Sequence, residues 1–438
     1  METDKTTLND LSVFNHEDEF SVFDKLNLTR TTGGREKLRQ IFNHSLSDID
    51  SIKNVQDTLK LIIEKKQQWP LSVSNGSVMM IYKFYESSVD DPPSRPSPIS
   101  AYLYKLFHGP DFSLIKYSVG HAFDFIKGMK QICSVFLQAD APANLKRMLE
   151  KASVLIEKYQ FQKVFETEKA EDFTMSQMLS FAYFIRYHYK QYFFELIDIY
   201  SQLDAWYGLA MAVSEFKLSF PVFISSDKPV LQAKKLYHIL LRDPVAYDVE
   251  LSHQNNFIFL TGANMAGKST FIKAVGSAVF LAHIGMGVPA ESMELSLFDG
   301  LLSNINVVDN IAKGESFFYN EVQRVKNTIL KVCDKRKWLI LIDELFKGTN
   351  VEDAMKCSTV VIEGLIKIKS SLFILSTHLY EISENLKGYP NIDFKYFETE
   401  VMGEKLIFNY QLKNGVSNDR LGYLILKKEK VIDLLESL

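Results

Sequence analysis

The segment that most constrains this chain is residues 262–269, GANMAGKS, which fits the pattern GxxxxGKS. An apolar run, FIFLT at 257–261, precedes it, and a segment with helical spacing, residues 270–285, follows it. A strand, a glycine-rich loop and a helix in this order are typical of a phosphate-binding loop, in which backbone N–H groups and the positive end of the helix dipole face the phosphates. The alternative is an ordinary glycine-containing turn that binds no ligand. The pattern therefore predicts a nucleoside triphosphate site, and ATP is the expected nucleotide.

Two side chains of this loop are expected to contact the phosphates and a metal ion. The ammonium of Lys268 is expected to reach the β and γ phosphates, and the hydroxyl of Ser269 is expected to bind Mg²⁺. The residues predicted to bind ATP are Gly262, Ala263, Asn264, Met265, Ala266, Gly267, Lys268, Ser269 and Thr270.

An acidic pair follows about seventy residues later, at the end of the apolar run WLILID at 338–343. Asp343 closes this run, where a carboxylate can hold Mg²⁺, often through a water. Glu344 comes next and is expected to orient or deprotonate the attacking water. Strands often end in acids, but the position after a phosphate-binding loop favours a catalytic Glu344 and a metal-binding pair of Ser269 and Asp343.

A third apolar run, SLFILST at 371–377, ends next to His378. A histidine just after a strand is more often a surface or capping residue. His378 follows the acidic strand by about 35 residues, as the γ-phosphate sensor does in ATPases of the ABC type. We therefore predict that His378 is a second catalytic residue.

The rest of the chain falls into two parts with different patterns. Residues 100–218 have helical spacing almost throughout, and 174–218 is expected to form one especially long helix. After Pro221, short Ile- and Leu-rich runs alternate with helical segments, which is typical of buried parallel strands in an α/β sheet. The sequence predicts a helical domain at 1–219 and an α/β domain at 220–438.

The composition of the chain limits which classes of function are plausible. With 46% hydrophobic and 24% charged residues, the chain is expected to be globular. A net charge of −4 argues against coating nucleic acid by bulk electrostatics, although it leaves a local basic channel open. Cys133, Cys333 and Cys357 lack metal-ligand spacing and are expected to be reduced thiols. Without a signal-like N-terminus or a run of eighteen uncharged apolar residues, we expect a cytoplasmic protein with no membrane partner.

With these residues in view, the C-terminal half resembles the ATPase domain of the MutS family of DNA mismatch-repair proteins. The resemblance rests on TGANMAGKST at 261–270, LIDELFKGTN at 341–350 and STHLYEI at 376–382. IGMGVPAE at 284–291 and GESFFYNE at 314–321 follow the family's order. TLNDL at 7–11, residues 24–42 and QLDAWYGLA at 202–210 resemble the family's core, or lever, domain.

The resemblance implies a helical lever domain followed by an ABC-type P-loop ATPase domain with a mostly parallel sheet. It also implies a homodimer in which two ATPase domains pack head to tail, so that Ser316 reaches in trans the γ-phosphate held by the other subunit. Three positions depart from the family's usual residues: Ala266 replaces a glycine, Glu315 an arginine and Phe317 a threonine. The chain starts at the lever, so we expect the family's mismatch-reading domains to be absent.

Two functional hypotheses stay open. The first is an ATP-hydrolysing protein that acts in DNA repair or recombination on double-stranded DNA with a mismatch or an unusual structure, with a repair protein as a further partner. The second is an ATP-driven conformational switch that binds a protein partner without direct DNA contact. A nucleotide kinase or transferase is disfavoured because no acceptor-site motif accompanies the phosphate loop.

Overall fold

The computed structural model describes residues 1–14, 20–305, 317–402 and 405–417, together with residues 431 and 434. The chain forms two compact units. The α/β unit contains Met1–Lys25, Ser45–Ile52 and Phe216–Leu438. The helical unit contains Leu26–His44 and Lys53–Glu215.

The first half of the chain is built from helices of varied length. Several begin at a side-chain cap; the hydroxyl of Ser97, for example, accepts a hydrogen bond from the backbone N–H of Ser100. In chain order the helices are α1 Lys5–Asp10, α2 Val22–Leu26, α3 Thr32–Asn43, α4 Ile49–Glu64, α5 Asn75–Glu86, α6 Pro98–Phe107, α7 Gly109–Phe136, α8 Ala143–Ile156, α9 Tyr159–Glu166, α10 Met175–Tyr183 and α11 Lys190–Glu215.

The prediction of one long helix over 174–218 is wrong. A π-helical turn at Phe184–His188 separates α10 from α11, and Tyr189 leaves the helical region with φ −125° and ψ 4°. The ring of Tyr189 is buried and lies 5.0 Å from that of Phe161, centroid to centroid. Tyr189 thus packs in an aromatic cluster at the break. The i→i+5 pattern of a π turn is not revealed by helical periodicity in the sequence.

A buried carboxylate joins α3 to α11 inside the helical unit. Asp204 is fully buried and accepts hydrogen bonds from the backbone N–H groups of Arg30 (3.0 Å) and Thr31 (2.8 Å) and from the Thr31 hydroxyl (2.6 Å). A Cβ atom at Gly34 would lie only 2.0 Å from this carboxylate, so the close approach requires glycine there. Burial raises the pKa of Asp204, while the hydrogen bonds from Thr31 and Arg30 oppose that effect.

The α/β unit contains all the strands that the structure describes. They are β1 Glu2–Thr3, β2 Val222–Ile224, β3 Val230–Leu236, β4 Tyr247–Ser252, β5 Phe257–Thr261, β6 Ser292–Ser296, β7 Gly300–Asn304, β8 Trp338–Asp343, β9 Leu372–Ser376, β10 Ile392–Met402 and β11 Lys405–Asn414. Its helices after residue 216 are α12 Lys268–His283, α13 Phe317–Val332, α14 Val351–Leu365 and α15 Ile382–Leu386.

The main sheet has seven strands in the order β1-β7-β8-β9-β5-β10-β11. All neighbours are parallel except β10 and β11. β5, β8 and β9 are buried along their whole length, as expected for strands that are covered on both faces. The predicted combination of a helical region with a mostly parallel α/β sheet is confirmed. A smaller sheet has the order β2-β6-β3-β4.

The start of the chain belongs to the α/β unit, whereas the sequence predicted a helical domain over all of 1–219. Glu2 and Thr3 pair in parallel with Gly300 and Leu301. The Asp10 carboxylate accepts hydrogen bonds from the Ser303 hydroxyl at 2.7 Å and the Ile305 N–H at 3.0 Å. A strand of two residues has no periodicity, so the sequence gives no sign of this pairing.

Among the described residues, none of the helices combines the length and apolar character needed to cross a membrane.

Candidate nucleotide-binding site

The predicted phosphate loop joins β5 to α12 at the carboxyl edge of the main sheet. Gly262, Met265 and Gly267 all have positive φ, at 142°, 70° and 108°. A Cβ atom at Gly262 would lie 3.2 Å from the carbonyl oxygen of Phe397, so strain and space both favour glycine there. Gly267 is the N-cap of α12, which places the start of this 16-residue helix at the loop. Such a helix start is a suitable environment for phosphate.

Lys268 is buried, with 5% of its surface exposed. Its Nζ donates hydrogen bonds to the carbonyl oxygens of Gly262 at 2.8 Å and Ala263 at 3.1 Å. Burial lowers the pKa of Lys268, and the carboxylates of Glu344 and Asp343 oppose that effect. The ammonium therefore lies inside the loop, where a negative ligand would improve its electrostatic environment.

Asp343 lies at the end of β8 and meets hydroxyl groups from two other elements. It accepts hydrogen bonds from Ser269 of α12, at 2.5 Å, and from Ser376 of β9. Oxygen ligands of this kind suit Mg²⁺. The structure thus brings Ser269 and Asp343 together, and their role as metal ligands stays a prediction.

Glu344 has a positive φ of 63°, and 16% of its side chain is exposed. Its carboxylate lies 3.3 Å from Nζ of Lys347 and 3.5 Å from Nδ1 of His378. Burial raises the pKa of Glu344, but the hydrogen bond with His378 and the positive charges of Lys347, His378 and Lys268 lower it more, to about 2. The structure therefore brings the two residues predicted as catalytic, Glu344 and His378, next to each other.

Glu321 is a site residue to which sequence reasoning assigned no role. It is buried on α13, and its carboxylate accepts hydrogen bonds from the backbone N–H groups of Lys347, at 3.0 Å, and Gly348, at 3.1 Å. These bonds fix the turn that carries Lys347 to Glu344. The sequence could have pointed to Glu321, because it is the last residue of the GESFFYNE segment at 314–321.

A cavity of about 400 Å³ opens beside the phosphate loop. Part of its lining consists of apolar, aromatic and acidic side chains to which the sequence motifs gave no role. Tyr247, from β4, is buried, and burial together with Tyr410 raises its pKa to about 12. Tyr247 on β4 and Tyr410 on β11 are far apart in sequence, so no local motif could have grouped these two rings. Beyond the loop residues and Glu344, the lining is Leu241, Asp243, Val245, Tyr247 and Tyr410.

Ser316, with its neighbours Gly314 and Glu315, lies outside the described residues. The structure therefore leaves the predicted trans contact of Ser316 as a prediction. The chain continues in α13, which begins at Phe317.

A strand, a left-handed glycine loop and a buried helix, with an acidic residue at the end of a nearby parallel strand, define the fold class of phosphate-loop domains. Residues 258–433 match the family model "MutS domain V". The C-terminal half of the chain is therefore similar to the ATPase domain of the MutS family, as the sequence motifs predicted.

Similar proteins agree with this assignment. The chain is 30% identical over 243 residues to the DNA mismatch repair protein MutS of Thermotoga maritima, which covers 55% of this chain and 30% of that protein. It is 28% identical over 225 residues to MutS of Petrotoga mobilis, and this match covers 51% of this chain and 27% of that protein. It is 29% identical over 280 residues to the DNA mismatch repair protein MSH3 of Vanderwaltozyma polyspora, and this match covers 61% of this chain and 26% of that protein. The chain thus spans about 30% of the length of the relatives it matches.

Proposed function

We propose that this protein is a Mg²⁺-dependent ATPase that releases ADP and phosphate. Its hydrolysis would gate the closure of a homodimer that acts on mismatched or structured DNA in repair or recombination. The observation that carries the ATPase proposal is the convergence of Lys268, the Ser269–Asp343 pair and Glu344 at one edge of the sheet.

The residues present fit ATP and Mg²⁺. The loop offers backbone N–H groups and an ammonium to the phosphates, and the adjoining cavity offers apolar and aromatic walls to a base. Ser269 and Asp343 would hold Mg²⁺, because their oxygens already lie together at 2.5 Å. When bound, Mg²⁺ neutralises charge on the β and γ phosphates.

Each residue of the site would then have its own role in hydrolysis. Lys268 would exchange the carbonyls of Gly262 and Ala263 for phosphate oxygens. Glu344 is ionised at neutral pH and would accept a hydrogen bond from the attacking water, which sets the line of attack. The water oxygen bonds to the γ phosphorus as the bond to the bridging oxygen of ADP breaks, and the water proton leaves to Glu344 or to the phosphate product. His378, next to Glu344, would donate a hydrogen bond to the γ phosphate.

The dimeric part of the proposal rests on the family resemblance, and a mixing experiment tests it. A Lys268→Ala subunit loses its own phosphate loop, and a Ser316→Arg subunit loses the contact that it would give to its neighbour. Each variant alone should be nearly inactive. An equimolar mixture should recover part of the wild-type turnover, because a head-to-tail mixed dimer restores one complete site. A mixture that stays inactive although mixed dimers form would contradict sites shared between subunits.

The DNA part needs its own experiment. Gel-shift titrations against homoduplex, mismatched and branched DNA, each with and without ATP, should show binding that prefers distorted DNA and depends on nucleotide. Absence of binding to every DNA in both nucleotide states would overturn this part and favour the switch that binds a protein partner. The ATPase proposal would stand in that case, since turnover without DNA measures it separately.

A further inference from the structure

One helix of the helical unit, α6, leaves nearly its whole surface uncovered. Within Pro98–Phe107 the structure buries only Ala101 and Tyr104. The single charged residue of the helix is Lys105, which lies over the ring of Phe112 at 5.7 Å from its centroid. A helix that is apolar on nearly all sides is normally buried, so its exposure calls for a partner.

The exposed side chains form a continuous stripe rather than scattered apolar residues. Their spacing of i, i+3, i+4, i+7 and i+8 places them on one face of an α-helix. The α6 stripe consists of Ile99 (74% exposed), Tyr102 (57%), Leu103 (43%), Leu106 (62%) and Phe107 (74%).

The size of the stripe is that of an interface. Since buried aromatic side chains cover about 150–250 Å² each, these five side chains expose on the order of 500 Å² together. The largest apolar patch on an ordinary monomer is about 300–600 Å² and often functional. A standard interface takes about 800 Å² from each partner. The α6 stripe therefore supplies more than half of one side of a stable interface.

We propose that the α6 stripe is a self-association surface, which pairs with the same stripe of a second copy of this chain. A two-fold interface uses one patch on both partners, so the patch must match itself. An uncharged apolar stripe does so without placing like charges face to face. Nucleic acid fits poorly, because the stripe offers no cation to phosphates. The centre of the stripe is Leu103, so the two-fold axis passes close to this residue.

The first test is the association state of the full chain without nucleotide or Mg²⁺, measured by sedimentation equilibrium. These conditions remove any pairing that depends on ATP. The wild type should dimerise, and Leu106→Glu should raise the dissociation constant by about 30-fold or more, as for a buried interface residue. Val154→Glu on α8 is the matched control, because Val154 is also 64% exposed but lies outside the α6 stripe; it should leave the constant unchanged. Circular dichroism and ATP turnover check that both variants are folded.

A second measurement locates the axis. In a background where Cys333 and Cys357 are changed to Ser, Leu103→Cys should form a disulfide-linked dimer on mild oxidation, whereas Val154→Cys should not. A wild type that stays monomeric without nucleotide overturns the proposal. So does a dimer that Leu106→Glu leaves intact, since the interface would then lie elsewhere. Pairing that requires ATP and ignores Leu106→Glu would support the ATPase dimer alone and likewise overturn the proposal.

Discussion

The two units of this protein each bury an aspartate, Asp204 within α11 and Asp343 at the end of β8, and the two aspartates have different kinds of partner. Asp204 in the helical unit accepts hydrogen bonds mainly from fixed backbone N–H groups, which cannot turn away. Asp343 in the α/β unit accepts them from the hydroxyls of Ser269 and Ser376, which can rotate. A buried carboxylate held by backbone groups fixes a structure, whereas one held by rotating hydroxyls is available for a ligand.

The largest expected effect concerns the charge that faces Asp343. Lys268→Ala removes the ammonium from the phosphate loop, so ATP binding by calorimetry should fall by roughly 10³-fold or more. Lys367→Ala is a control with the same change on an exposed lysine of the same unit, and it should bind ATP normally. Normal affinity in Lys268→Ala would remove the basis for assigning the site.

Substitution of the two aspartates should have opposite effects on stability and on turnover. Asp204→Ala should lower the free energy of unfolding by about 3 kcal/mol, because the buried N–H groups of Arg30 and Thr31 lose their acceptor. Asp343→Ala should cost about 1 kcal/mol or less, because rotating hydroxyls can find other acceptors, yet it should abolish turnover.

Tryptophan fluorescence can separate the units in this experiment. In a Trp338→Phe background, only Trp69 and Trp206 remain, and both belong to the helical unit. Urea titration in that background reports the stability of the helical unit directly. Asp343→Ala is measured through Trp338, in a background where Trp69 and Trp206 are changed to Phe. Equal destabilisation by Asp204→Ala and Asp343→Ala would break the distinction between fixed and rotating partners.

Glu344 separates binding from chemistry within the α/β unit. Glu344→Gln keeps the shape of the side chain but cannot accept a proton, so turnover should fall by roughly 10²-fold while ATP still binds. ATP should then accumulate a closed dimer, visible by light scattering. Glu352→Gln, an exposed change on α14, should leave turnover unaltered. Undiminished turnover in Glu344→Gln would show that another group orients the water.

The smallest effect is a pH dependence. The folded pKa of Glu344, about 2, lies below its ordinary value of 4.5, so its ionisation stabilises the folded state above pH 4.5 and this contribution is lost as pH falls toward 2. His378→Asn removes a hydrogen bond that lowers this pKa. The variant should therefore be about 1 kcal/mol less stable at pH 5, and the difference from wild type should shrink on acidification. A difference that grows with acid would contradict this sign, and His188→Asn serves as the control.

Continuous local patterns made the centre of the site predictable. β5, β8 and β9 are uninterrupted apolar runs, and the residues that follow them must meet at one edge of a parallel sheet. Tyr410 escaped prediction because it reaches the site from β11, which is remote in sequence from the phosphate loop. Tyr247 and Glu321 lie nearer the motifs but belong to neighbouring elements whose pattern does not show that they meet the site. The break at Tyr189 escaped it because the π turn at Phe184–His188 leaves the apolar helical spacing of the sequence unmarked.

The pairing of β1 with β7 has a consequence for how the chain folds. Glu2 and Gly300 are 298 residues apart in sequence, and the whole helical unit lies between them. Contacts between distant residues form late, because the loop entropy must be overcome before they contribute. The helical unit, rich in local contacts, can fold while the main sheet still lacks its edge strand. On the ribosome, Glu2 and Thr3 must therefore stay unpaired with β7 until Gly300 and Leu301 have emerged.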